Sequence, residues 1–176
     1  DDYLAKPYAF TELLARVEDA GSGEILIEEL NAPIPPDRRI QAQAAAAVLG
    51  ESVYAKFPLM PGMRPVSNDP FDLLLNNNWR PTLSITGADG LPAFRSAGNV
   101  LRPFTAFKLS LRLPPLVDAP LAAQELKELL EDNAPYSARV TFAADGRAGA
   151  QGATGWNAPS LAPWLETALN AASHAH

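Results

Sequence analysis

Hydrophobic and polar residues alternate most clearly over residues 98–115. From Phe104 onward Phe107, Leu109, Leu111 and Leu113 fall on one side, and Ala106, Lys108, Ser110 and Arg112 fall on the other. This period of two predicts a half-buried strand, with one face on a core and one face open. Pro114 and Pro115 end it, because proline cannot donate to a ladder and restricts the residue before it. A second alternation over residues 81–87 sets Leu83 and Ile85 against Thr82, Ser84 and Thr86. It predicts another strand with a polar face, closed by the turn signal Ala88-Asp89-Gly90. A third strand is expected at residues 138–142, apolar at Ala138, Val140 and Phe142.

The remaining apolar positions repeat at helical spacing. Thr11 is expected to cap a helix carrying Leu13, Leu14 and Val17, ended by Gly21 or Gly23. After a short apolar-acidic run at 24–30, Pro33, Pro35 and Pro36 break the chain, and Ile40, Ala44, Ala47 and Val48 predict a modest surface helix stopped by Gly50. Residues 57–65 read as a proline-punctuated loop in which Met60 and Met63 serve packing. Asn68 or Asp69 can cap a short helix with Pro70 at its first position and Phe71, Leu74 and Leu75 as its apolar side. Asp118 caps a further helix with Ala122, Leu126, Leu129 and Leu130 on one stripe, where Lys127 and Glu131 form an i,i+4 pair. Residues 145–155, rich in glycine and alanine, read as a loop, and a terminal helix from Pro159 carries Leu161, Trp164, Leu165, Ala168 and Leu169. Strands polar on one side with helices between them predict an α+β fold, an antiparallel sheet with helices on one face.

Composition narrows the function. The 176 residues suit one sizeable core and are too few for an enzyme with a large catalytic half. A net charge of −6 leaves no basic stripe for a nucleic-acid backbone, so no nucleic-acid partner is expected. The absence of cysteine removes disulfides, thiolate metal sites and a cysteine nucleophile, and fits a reducing, cytoplasmic setting. No apolar run approaches the ~20 residues that span a bilayer, and no membrane partner is expected. Seventeen prolines favour short elements and loops.

Candidate chemistry is sparse. The two histidines, His174 and His176, stand two apart at the chain end, on different sides of any helix. The consecutive pairs Glu28-Glu29 and Glu131-Asp132 diverge and read as solvated charge rather than a general acid and base. Neither glycine cluster has the order of a phosphate-binding loop, and no serine has a histidine to activate it. Recognition remains. Arg112, on the open face of its strand, offers a guanidinium fork suited to gripping a carboxylate by two parallel bonds, or else pairs with an acidic neighbour on the surface.

Residues 99–103 (Asn-Val-Leu-Arg-Pro) and 108–115 (Lys-Leu-Ser-Leu-Arg-Leu-Pro-Pro) resemble the lid, or dimerisation, domain of dinuclear zinc metallopeptidases of the carnosinase, aminoacylase and glutamate carboxypeptidase type. Residues 79–92, 135–140 and 155–159 are similar to its dipeptidase-like branch in the same order, so the resemblance runs from about Leu14 to the C-terminus. It implies a ferredoxin-like βαββαβ unit whose first strand is missing or replaced, with a lid domain over 18–157, a helical insertion at 24–78 and the return into an absent catalytic domain at 158–176. Residues 1–17 resemble instead the C-terminal end of a response-regulator receiver domain, with Lys6 and Pro7 at its phosphate-sensing position.

By this resemblance Arg112 falls on the family's carboxylate-binding position, Asn99 on a polar lid position near the scissile group, and Gly98 frees the backbone beside it. The step of thirteen residues from Asn99 to Arg112 would spread them by roughly 40 Å along one extended strand, so each would serve a different active site of a homodimer joined through the lid's sheet edge. The implied substrate is a small peptide or acyl-amino acid. The parent enzyme would hold two zinc ions; none is expected in this chain, which has neither the metal ligands nor the general base and should be inactive alone. A non-catalytic self-association module and an output fragment of a receiver protein are the alternative readings.

Overall fold

The computed structural model describes residues 8–100, 102–144 and 152–175. In it the two alternating stretches pair as an antiparallel hairpin, β1 (Thr82–Asp89) with β2 (Ala106–Arg112). Thr82 lies opposite Arg112 and Ser84 opposite Ser110, while Leu83 meets Leu111 and Ile85 meets Leu109. The register therefore gives the hairpin one polar and one apolar face. A bulge between Ile85 and Gly87 leaves Thr86 as the extra residue, and its hydroxyl donates to the Lys108 carbonyl at 3.2 Å.

The apolar face packs on α5 (Ala119–Glu131). Ala122, Leu126 and Leu130 of α5 are buried together with Val17, Ile25, Ile27, Leu30 and Val117, and Leu83, Leu109, Leu111 and Leu113 lie against them. Asp118 caps this helix as expected, its carboxylate accepting from the Leu121 N–H at 2.9 Å. The run at 24–30 belongs to this core: the chain reverses over Asp19–Gly23, Glu18 bridges Ile25, and a 3-10 turn at Glu28–Leu30 buries Leu30. Asp19 shapes the reversal by accepting from the Gly21 and Ser22 amides and the Ser22 hydroxyl.

Helix α1 (Tyr8–Leu14) starts before Thr11, which lies inside it rather than at its cap, and stops before Val17, which turns into the core. Its Phe10 ring stacks on Phe107 of β2 at 3.6 Å between centroids. Lys6, Pro7 and the rest of residues 1–7 lie outside the described residues.

Residues 36–78 form a helical unit of α2 (Pro36–Leu49), α3 (Ser52–Ala55) and α4 (Pro70–Asn78), with α2 and α3 both against α4. Asp69 caps α4 through the Phe71 N–H, and Leu75 of α4 is buried. α2 is a surface helix with no buried residue, stopped by Gly50 at a positive φ. Met60 and Met63 are exposed, not packed. Arg38 of α2 ties the later segment 157–158 to this unit, donating to the Asn157 side chain and the Ala158 carbonyl.

The third strand does not form. Asn133, Tyr136 and Ser137 take positive φ values after α5, and residues 138–144 run on without a ladder. Val140 and Phe142 still pack against the core, but the Phe142 N–H donates to the Glu131 carboxylate at 2.7 Å, so a side chain takes a donor that a neighbouring strand would have used. The terminal helix α6 (Pro163–His174) begins four residues later than Pro159 and has no side-chain cap and no buried residue. Helices and a two-stranded antiparallel sheet make an α+β fold.

Candidate functional site

The polar face of the hairpin does not simply face solvent: α4 borders it. Leu73, Asn76 and Asn77 from α4, Thr82 and Ser84 from β1, and Ser110 and Arg112 from β2 line an open cleft of about 360 Å³. The local rules that build it are simple. Pleating puts Thr82 and Ser84 on one side of β1, antiparallel register sets them across from Arg112 and Ser110, and helical spacing carries Leu73, Asn76 and Asn77 along one side of α4.

Within the cleft Arg112 donates to the Asn77 side-chain carbonyl oxygen at 3.3 Å. No carboxylate of the described residues lies within ion-pair distance of this guanidinium. The nearby acid is already engaged: Asp72 pairs with Arg80 at 2.6 Å, and Arg80 also reaches Asn76. The surface alternative for Arg112, pairing with an acidic neighbour, is thus replaced by a neutral amide partner. A fork with one N–H on an amide and the others free in a cleft of hydroxyls and amides can take an anion.

Asn99 and Gly98 do not join this cleft. Both are exposed in the connection between β1 and β2, and Asn99 occupies a bend. The strand begins at Ala106, so the single long ribbon expected from Asn99 to Arg112 is replaced by a loop and a seven-residue strand. The strand alone separates its ends by about 20 Å, with Arg112 at the open end of the hairpin and the loop at the other. A Cβ at Gly98 would meet only open space, and its φ is not positive, whereas Gly90 at φ +78° has the Phe104 carbonyl against it. It is Gly90 that the turn requires.

Sequence reasoning does not single out Asn76, Asn77, Thr82, Ser84 or Ser110 as site residues. The strand register carries a signal for three of them, since Thr82, Ser84 and Ser110 share the face of Arg112. Asn77 lies 35 residues from Arg112, and the helical spacing that sets both asparagines on one side of α4 does not say that this side meets β2.

Solved structures offer a fold to set beside this arrangement. The chain superposes on part of human carnosine dipeptidase 1 with a TM-score of 0.52 and 22% identity, over 71% of this chain and 26% of that one. It matches the Saccharomyces cerevisiae di-peptidase Dug1p with a TM-score of 0.52 and 20% identity, over 73% of this chain and 27% of that one. The likeness is one of fold. This chain spans about a quarter of the length of either enzyme. No protein-family model matches the sequence, and no curated protein matches it.

Among the described residues no group of three or more His, Cys, Asp or Glu side chains is placed to hold a metal ion. His174 is exposed near the end of α6, and His176 lies outside the described residues. Also among the described residues, no helix is long and apolar enough to cross a membrane.

Proposed function

We propose that this chain is the lid and dimerisation part of a zinc-dependent, dipeptidase-like amidohydrolase, contributing substrate recognition and not catalysis. The observation that carries the reading is Arg112: a guanidinium with an amide partner and no acid, set in a polar cleft on a fold shared with segments of two dipeptidases. Arg112 grips the terminal carboxylate of a small peptide or acyl-amino acid, a planar two-oxygen acceptor that matches its fork. Asn99, with Gly98 beside it, serves the partner copy's substrate from the far end of the hairpin. The two zinc ions and the general base belong to polypeptide outside this chain.

Self-association rests on the sheet. Among the described residues each strand of the hairpin has one neighbour and one outer edge without a ladder, and an unpaired edge is a template for a second strand. Two copies joined edge to edge would complete recognition surfaces in the manner of a two-fold dimer.

The test has two arms. Size-exclusion chromatography with light scattering on the chain is expected to give twice its 18.8 kDa mass, and a monomer at every concentration removes the dimerisation role. Titration with N-acetylglycine, followed through the arginine Nε–H resonances, is expected to shift the Arg112 signal in the native chain. Loss of all binding in Arg112→Ala supports the reading; undiminished binding removes the recognition role.

A further inference from the structure

The cleft contains more than a carboxylate anchor. Its wall also holds the hydroxyls of Thr82, Ser84 and Ser110, which such an anchor leaves unused, beside the amides of Asn76 and Asn77, with Leu73 the one apolar residue. Resting on the carboxylate role of Arg112, we propose that this cleft seats the C-terminal residue of the ligand, that it favours a small polar side chain there, and that Asn77 is the positioning residue that holds the Arg112 fork in place without neutralising it.

Charge is the first consideration. An arginine on the surface of a chain with net charge −6 has many acids available, and an ion pair would occupy the same N–H groups that an incoming carboxylate needs. Asn77 presents to Arg112 an oxygen of similar shape to that of a carboxylate, without the charge. One N–H is held and the rest of the fork stays open. The acid of the same stretch is kept away from this fork: Arg80 and Asp72 satisfy each other, and Arg80 takes Asn76 as well.

The rest of the cleft decides what accompanies the carboxylate. The directly opposed pairs Thr82 with Arg112 and Ser84 with Ser110 place three hydroxyls beside the guanidinium on one face. Hydroxyls donate or accept as required, so they suit a ligand side chain that also does either. A large aliphatic side chain would strip water from these hydroxyls and amides without replacing their hydrogen bonds. A serine-sized polar group keeps them satisfied.

The experiment compares N-acetyl-glycyl-serine, N-acetyl-glycyl-leucine and N-acetyl-glycyl-serinamide on the full chain by NMR titration, with Asn77→Asp, Asn77→Ala and Arg112→Ala beside the native protein. The native chain is expected to bind the serine acid best, the leucine acid more weakly and the serinamide least. Asn77→Asp, nearly isosteric, is expected to lose about tenfold for the two acids, the worth of one charge-assisted bond, and with it the preference for acid over amide. Asn77→Ala is expected to weaken acid binding while keeping that preference. An equal melting temperature for Asn77→Asp and native protein separates this from a loss of fold. If Arg112→Ala abolishes acid binding while Asn77→Asp retains the acid preference, the Asn77 role is overturned and the carboxylate anchor stands. If the leucine acid binds better than the serine acid, the polar cleft is not the seat. If Arg112→Ala binds as the native chain does, both readings fall together.

Discussion

Helices α5 and α6 carry the same kind of amphipathic stripe and end in opposite situations. Along α5, Ala122, Leu126 and Leu130 are buried against the hairpin and the 25–30 segment, and Asp118 closes its first turn. Along α6, Trp164 is 72% exposed and Leu169 is 52% exposed, and Ala162 provides no cap. Helical spacing establishes that a face exists; whether the face is covered depends on a second surface. A helix of this length without tertiary packing is marginal in water, so the stability of this chain resides in the α5 half.

Substitution in the two stripes should separate them sharply. Leu126→Ala removes a buried side chain from the centre of the core and is expected to cost about 2–5 kcal/mol. Leu169→Ala, on the exposed stripe, is expected to stay within about 0.5 kcal/mol. Urea denaturation of both variants measures the difference, and equal losses would mean that α6 is packed in solution on a surface of this same chain.

Two glycines of the loop that joins the strands differ in the same way. A Cβ at Gly90 would stand 2.4 Å from the Phe104 carbonyl oxygen at a φ of +78°, while one at Gly98 meets nothing within 4 Å. Gly90→Ala is expected to cost about 1–3 kcal/mol through backbone strain and displacement. Gly98→Ala should be close to neutral, because it narrows the unfolded ensemble without a clash. Matching thermal unfolding curves for the two would show that Gly90 does not close the hairpin end against Phe104.

What could be read from the chain in advance follows the range of each interaction. The Asp69 and Asp118 caps were legible because a cap reaches only two or three residues along its own helix. The paired strands were legible because pleating is local and their alternation is strong. The 138–142 strand failed for the opposite reason: its pattern is adequate, but a strand exists only with a partner, and the Glu131 carboxylate holds Phe142 instead. The same limit hid half of the cleft. Chemistry and face left Arg112 open between a carboxylate grip and a surface ion pair, and only the resemblance set it at a recognition position, whereas Asn77 acquires meaning only when α4 is laid beside β2, and Met60 and Met63 read as packing residues because nothing local distinguishes an apolar side chain that is covered from one that is not.

Acid offers the gentlest probe of the packed half, through the reversal that delivers Ile25 to the core. Asp19 there is held below the ordinary carboxylate range, first by the Ser22 amide, then by the Ser22 hydroxyl and the Gly21 amide, all donating to its charged form. A carboxylate with a lowered folded pKa contributes stability that is present above its unfolded value and is lost as pH falls through the folded one. Its neighbour Glu18 runs the other way: desolvation pushes its pKa up, so the fold favours its protonated form and loses that preference as pH rises through the raised value. Asp19→Asn is therefore expected to flatten the acid limb of the stability curve, and Glu18→Gln to raise stability slightly near neutrality, both read from urea midpoints across pH. Because α6 is exposed, the helicity it contributes should not follow the Asp19 titration. A common acid midpoint for the Asp19 carboxyl resonance and the α6 amides would show that the two halves unfold as one, and would remove the asymmetry from which the other expectations start.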